Sequence, residues 1–139
     1  MAIPQTTPTA AKQLMDHGHR YIDVRTEEEF ATGHPAGAVN IPVAAPNPAT
    51  GQMAINPQFL AVVGAHFPPD APLIVGCGSG MRSQRTAEML AAAGFSNVVN
   101  MQGGFGGAPD QAGWADSGLP VSHDCGPHNS YAGLRAKAR

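Results

Sequence analysis

The residues best suited to chemistry lie in one run, Val75-Gly76-Cys77-Gly78-Ser79-Gly80-Met81-Arg82-Ser83. A thiol is a nucleophile as its thiolate, and an ordinary pKa near ~8.5 leaves little of that form at neutral pH. The neighbours of Cys77 bear directly on this. Gly78 and Gly80 free the backbone to turn several N–H groups toward one point, and such a nest holds an anion. A helix start at Ser83 adds unpaired N–H groups and the positive end of a dipole. Arg82 places a permanent cation at the rim. Cys77 is therefore the candidate nucleophile at the floor of an anion cradle made by Gly78, Ser79, Gly80, Met81, Arg82 and Ser83. Such a cradle favours the thiolate and has room for a terminal persulfide sulfur or a sulfonate. Packing alone does not explain two glycines, an arginine and a serine at these spacings.

A strand must deliver Cys77 and a helix must follow it. Leu73-Ile74-Val75 is a short apolar run of strand type. Ser83–Ala93 reads as a helix with Ala87, Leu90 and Ala91 on one face, closed by Gly94. Upstream, Thr9 is expected to cap a short helix that ends at His17-Gly18. Tyr21–Val24 reads as a strand. Thr26 and Glu29 form a capping box for a helix over Glu27–Ala31. Gly33–Gly37 is a turn, Ala38–Pro42 a second strand, and residues 43–55 an irregular loop. Asn56-Pro57 should open a helix carrying Phe59, Leu60, Val63 and Phe67. Val98-Val99 is the last clear strand. Residues 102–118, with six glycines and Trp114, form an irregular structured loop; Gly118–Val121 is a turn, and Tyr131–Lys137 a short helix. Strands alternating with helices predict an α/β domain on a mostly parallel sheet. Ligands of such sheets sit beyond the carboxyl ends of the strands, where Cys77 falls. The expected organisation is an N-terminal arm over residues 1–8, one domain over 9–122 and a tail over 123–139.

Composition narrows the function classes. A length of 139 residues with 42% apolar content suits one domain with one core. Charged residues are only 13%, and 17 Gly and 13 Pro point to many turns. The net charge of −2 shows no basic face, so nucleic acid is not an expected partner. No apolar run approaches the ~20 residues of a membrane span. Met1–Ala11 lacks the pattern of a secretory leader, and the expected location is cytoplasmic. Two cysteines, Cys77 and Cys125, make no disulfide framework.

The run Cys77-Gly78-Ser79-Gly80-Met81-Arg82-Ser83 resembles the C-x-S-G-x-R-S loop of single-domain rhodaneses. Tyr21-Ile22-Asp23-Val24-Arg25 is similar to the family's first strand. Glu28–Pro42 resembles its E-E-F-x-x-G-H-I-P-G-A-x-N-I-P segment. Leu90, Gly94-Phe95, Val98, Gly103-Gly104, Trp114 and Gly118–Val121 follow its C-terminal pattern. The resemblance implies a doubly wound sheet of about five mostly parallel strands flanked by helices. It implies a thiosulfate:cyanide sulfurtransferase type of reaction: Cys77 takes the outer sulfur of thiosulfate or a persulfide donor and passes it to cyanide or a thiol. A protein acceptor such as thioredoxin is possible within it. No metal or organic cofactor is implied. Arg82 would hold the anionic end of the donor.

Other residues carry open readings. Asp23 and Arg25 either support the loop or pair with each other, the ion pair being favoured. His34 is read as a turn histidine bonding backbone, the Ser79 and Ser83 hydroxyls as possible donors to the bound sulfur with Ser83 also a good N-cap, and Arg85 as solvent-exposed or part of a positive rim. The turn after His34 is one residue shorter than the family pattern, and the stretch from Gly103 to Trp114 is longer. Cys125, flanked by His123 and His128, could relay sulfur, bind a metal, or be incidental; the last is favoured. Two rival functions remain. A phosphatase or arsenate reductase on this fold has its arginine six positions after the cysteine, whereas Arg82 follows Cys77 by five, which closes a tighter ring. A non-catalytic interaction module would not need Cys77.

Overall fold

The short apolar runs satisfy their backbone by pairing side by side. In the computed structural model, residues 3–138 are described. Met1 and Ala2 of the expected arm and Arg139 of the expected tail lie outside the described residues. Along the chain come β1 (Gln5–Thr6), α1 (Pro8–Asp16), β2 (Arg20–Asp23), α2 (Glu27–Ala31), β3 (His34–Pro35), β4 (Val39–Asn40), β5 (Ala44–Pro46) and β6 (Met53–Ile55). Then follow α3 (Phe59–His66), β7 (Leu73–Gly76), α4 (Met81–Ala92), β8 (Val98–Met101), β9 (Val121–Ser122) and α5 (Tyr131–Lys137).

Five strands form one sheet in the order β1-β8-β7-β2-β4, and every pairing in it is parallel. Helices cover both faces, as the α/β reading requires. The central strand β7 is buried throughout, and its side chains alternate between two cores. Leu73 and Val75 join Phe59, Val63 and Leu90 on one face. Ile74 joins Tyr21, Phe30 and Trp114 on the other. The register sets Asp23 beside Gly76, so β2 and β7 end level with each other. Cys77 leaves the sheet at that edge, with Asp23 and Arg25 next to it.

Several local expectations change. The N-cap of α1 is Thr7, not Thr9, with Pro8 at the start of the helix. Proline fits there because its missing N–H would be unpaired anyway. Gln5 and Thr6, expected in an extended arm, are extended and also join the sheet, pairing with Asn100 and Met101. Residues 43–55 are not irregular: β5 and β6 pair as an antiparallel hairpin. Asn56 does not cap a helix at Pro57; its Oδ1 accepts from the Gln58 N–H, and α3 starts at Phe59. α4 begins at Met81 behind Gly80, two residues before Ser83. The turns at Gly33–Gly37 and Gly118–Val121 meet as the β3–β9 pair. In the tail, Tyr131 and Leu134 of α5 pack into the first core. No helix among the described residues is long and apolar enough to cross a membrane.

Candidate active site

The site is built from the end of β7. Gly76 has to lack a side chain, because a Cβ there would lie 1.7 Å from the Tyr21 hydroxyl. The chain then turns outward at Cys77, which is 1% exposed. Its Sγ accepts hydrogen bonds from the N–H groups of Gly80 at 3.0 Å and Ser83 at 3.4 Å. Gly80 makes the closure possible. Its φ of +105° is a left-handed conformation that favours glycine, and a Cβ on it would press within 3.3 Å of the Gly103 nitrogen.

A second loop fixes the first. The N–H groups of Phe105 and Gly106 donate to the carbonyls of Cys77 and Gly78 at 2.7 and 2.9 Å. In a planar trans peptide the C=O and the following N–H point in opposite directions. Pinning the Gly78 carbonyl outward therefore turns the Ser79 N–H inward, toward the sulfur. The approach is close enough that a Cβ on Gly104 would lie 2.5 Å from the Cys77 carbonyl oxygen. Trp114, fully buried, anchors the far end of this second loop through Nε1 to the Pro120 carbonyl at 2.8 Å. The extended 103–114 segment is thus a clamp on the cysteine loop. With Ser79, Gly80 and Met81 its Asp110 and Gln111 also line a groove of about 580 Å³.

These contacts decide the ionisation of Cys77. Burial raises the thiol's pKa. Hydrogen bonding at Ser83, and from the N–H groups of Gly80 and Ser79, outweighs burial, and the net direction is down. Of the remaining cradle candidates, Gly78 lies along the Arg82 guanidinium. The Met81 side chain is 73% exposed.

Arg82 departs from its expected role as a free rim cation. Its Nη1 and Nη2 donate to the two carboxylate oxygens of Glu29 at 2.8 and 3.0 Å. Arg82 pulls the Glu29 carboxyl down to about 2, against the opposing effect of burial and with help from Thr26. Glu29 also completes the capping box with Thr26, so one carboxylate ties α2 to the start of α4. The charge of Arg82 is matched before any donor arrives.

Asp23 and Arg25 realise both of their open readings. They form a buried ion pair, with Arg25 Nη2 2.8 Å from Asp23 Oδ2. Arg25 also donates to the Gly33 carbonyl at 2.7 Å, and its guanidinium lies 4.6 Å over the Phe105 ring. Phe105 is the residue that pins Cys77, so the pair stands behind the clamp. His34 bonds backbone, with Nδ1 2.8 Å from the Phe30 carbonyl, and stacks on the Phe30 ring. Ser83 is the third residue of α4 rather than its N-cap, and Arg85 is exposed and lines the groove beside Ser79, Gly80 and Met81. Cys125 is exposed, and the described residues hold no group of three or more His, Cys, Asp or Glu placed to bind a metal.

Three participants escaped the sequence reading: Glu29 as the partner of Arg82, and Asn100 with Gln5 behind Ser83. The Ser83 hydroxyl donates to Asn100 Oδ1 at 2.5 Å, and Asn100 Nδ2 donates to Gln5 Oε1 at 2.8 Å. A usable signal was a lone asparagine within the apolar run Val98-Val99-Asn100-Met101.

Comparison with known proteins agrees with this geometry. Residues 7–107 match the model of the Rhodanese-like domain. The chain is 44% identical over 113 residues to "Thiosulfate sulfurtransferase 16, chloroplastic" of Arabidopsis thaliana, an alignment covering 81% of this chain and 88% of that protein. It is 31% identical to "Thiosulfate sulfurtransferase GlpE" of Haemophilus influenzae, covering 87% and 96%. Among solved structures, Rv0390 from M. tuberculosis superposes with a TM-score of 0.73 at 28% identity, covering 89% of this chain and all of that one. With the family's sheet, its cysteine loop and relatives bearing the thiosulfate sulfurtransferase name, the chain belongs to the rhodanese family of single-domain sulfurtransferases.

Proposed function

We propose that the protein moves sulfane sulfur from thiosulfate or a persulfide donor to a thiophilic acceptor through a persulfide on Cys77. The observation that carries this reading is the placement of Sγ: a buried sulfur whose hydrogen-bond partners are inward N–H groups. The Cys77 thiolate attacks the outer sulfur of thiosulfate. The new S–S bond forms as the donor's S–S bond breaks, and sulfite leaves with the electron pair. The acceptor then attacks the outer sulfur of the persulfide, and the electron pair returns to Cys77 as thiolate. Two half-reactions on one nucleophile give ping-pong kinetics. The N–H groups are already aimed where negative charge develops, so little reorganisation is needed.

Cyanide serves as the acceptor in the test tube and a thiol, small or on a protein such as thioredoxin, in the cell. A loop that encloses a phosphate or arsenate group fits less well, because the ring is one residue tighter and Arg82 is occupied by Glu29. Mass spectrometry after thiosulfate treatment tests the proposal. Cys77 should gain one sulfur atom, and Cys77→Ser should lose this adduct together with thiosulfate:cyanide activity. Full activity in that variant would overturn the assignment.

A further inference from the structure

Ser83 has one hydroxyl proton and more than one acceptor for it. Its Oγ lies 2.5 Å from Asn100 Oδ1 and 3.2 Å from the Gly80 carbonyl. The N–H of the same residue donates to the Cys77 sulfur at 3.4 Å, so the hydroxyl stands beside that sulfur, where donation would favour the thiolate. One proton serves one of these well. The choice is made farther back. Gln5 Nε2 donates to the Ile3 carbonyl at 3.0 Å, and a carbonyl can only accept. The same nitrogen donates to Gln84 Oε1 at 2.6 Å, and Gln84 Nε2 donates to the Glu88 carboxylate at 3.2 Å. Both hydrogens of the Gln5 amide are therefore committed. Its Oε1 must face Asn100 Nδ2, and Asn100 must turn Oδ1 toward Ser83. Every donor in the row Ser83, Asn100, Gln5, Gln84 points away from the sulfur. Ser83 is 0% and Asn100 3% exposed, so bulk water does not compete at the inner end.

We propose that Asn100 and Gln5 are positioning residues of the sulfur site, drawing the Ser83 hydroxyl proton off Cys77 and leaving the sulfur anion to main-chain N–H groups alone. Ser83 then turns a lone pair toward the sulfur. The consequence for catalysis, a persulfide held less tightly and so readier to release its outer sulfur, rests on the sulfur-transfer reading. The ionisation itself is a property of the free protein. The edge strand β1 thereby takes part in tuning the thiol. The other charged or titratable groups around Cys77 are Arg82 with Glu29, and Tyr21, Asp23 and Arg25 at the end of β2. None of them belongs to the row.

The test is the thiolate fraction of Cys77 against pH, followed by thiolate ultraviolet absorbance and alkylation rate in the full chain. Cys125→Ser serves as the background, so that one thiol reports. Asn100→Leu removes the acceptor and releases the proton to the sulfur. It should give about tenfold more thiolate below the midpoint, the worth of one hydrogen bond to a charged group. Ser83→Ala should leave the fraction within about twofold, and Asn100→Leu in that background should add nothing. Gln5→Leu, on an exposed position that folding tolerates, should move the fraction the same way as Asn100→Leu. Gln5→Glu keeps an acceptor facing Asn100 and should behave as the parent. The proposal is overturned if Ser83→Ala lowers the thiolate fraction about tenfold, since the hydroxyl would then be donating to sulfur. It is equally overturned if Asn100→Leu acts the same with and without the Ser83 hydroxyl. Failure of thiosulfate to load Cys77 would sink the sulfur-transfer reading and leave this titration result standing.

Discussion

A methyl group at position 104 would strike the cysteine loop where it cannot yield. In Gly104→Ala the new carbon lies 2.5 Å from the Cys77 carbonyl oxygen, 2.6 Å from the Gly78 carbonyl carbon and 2.7 Å from its oxygen. These are main-chain atoms, so no side chain can rotate aside. Relief requires the two loops to separate by about 1 Å, given ordinary carbon contacts beyond ~3.5 Å. That separation stretches the Phe105–Cys77 and Gly106–Gly78 hydrogen bonds past useful length. Each is worth about 1 kcal/mol. The φ of +60° at Gly104 adds about 1–2 kcal/mol for a residue with a side chain. The expected loss is therefore about 3–4 kcal/mol. Gly118→Ala is the control: its φ is +71°, but beyond its chain neighbours no atom lies within 4 Å of where a Cβ would sit, so only the conformational cost of about 1–2 kcal/mol applies. Urea unfolding of the two variants isolates the clash. The same retreat releases the Gly78 carbonyl and turns the Ser79 N–H off the sulfur, so the Cys77 pKa should rise in Gly104→Ala alone. If the two variants match in stability and leave Cys77 ionisation unchanged, the second loop does not hold the cradle.

Three further outcomes follow from the charges and hydroxyls around the site. Asp23→Asn leaves the Arg25 guanidinium buried without its counter-charge and should cost about 3–5 kcal/mol in unfolding measurements, with a large part restored in an Asp23→Asn/Arg25→Met double variant. The Glu29 carboxyl, held at about 2, stabilises the fold above the usual carboxylate range, and that contribution disappears as pH falls from 4.5 through about 2. Glu29→Gln should therefore lose no more than about 1 kcal/mol near neutrality, because the pair is over a third exposed, and should match the parent at the acid end of a urea series. The Tyr21 hydroxyl is buried with no hydrogen-bond partner among the described residues, so Tyr21→Phe should melt at the same temperature or higher; a fall of several degrees would reveal a partner.

The parts legible in the sequence were those whose causes are local. Thr26 and Glu29 lie three residues apart, and their reciprocal bonds form as expected. The helix Tyr131–Lys137 has the anticipated bounds because Ser130 caps it and its apolar residues face inward. Leu73–Val75 is buried on both sides, so a short apolar run was enough to mark the central strand that delivers Cys77. The misreadings have non-local causes. Gln5 and Thr6 carry no strand pattern; they extend because β8 offers them an edge. The hairpin of β5 and β6 is largely exposed, so it lacks the alternation that burial imposes. The start of α4 moved from Ser83 to Met81 because a left-handed Gly80 closes the loop without a side-chain cap. Arg82 and Glu29 are 53 positions apart, and nothing local announces the pair.

That pair also bears on what the cradle selects. A cysteine loop meant to enclose a phosphate or arsenate group needs formal positive charge to match two negative charges inside the ring. Here the nearest guanidinium is held in two bonds by Glu29, and Arg25 is held by Asp23. Both cations are neutralised by carboxylates of the same chain. What remains inside the ring is the partial positive charge of a few oriented N–H groups and the start of α4, with Arg85 lining the groove outside it. Partial charges of that size suit a single negative charge spread over one or two sulfur atoms, and they are too weak to hold a dianion enclosed within the ring; under the proposed reaction only the outer sulfur of thiosulfate, itself a dianion, enters it. The pairing of Arg82 and the short ring thus favour the same occupant for separate reasons, one of charge and one of size.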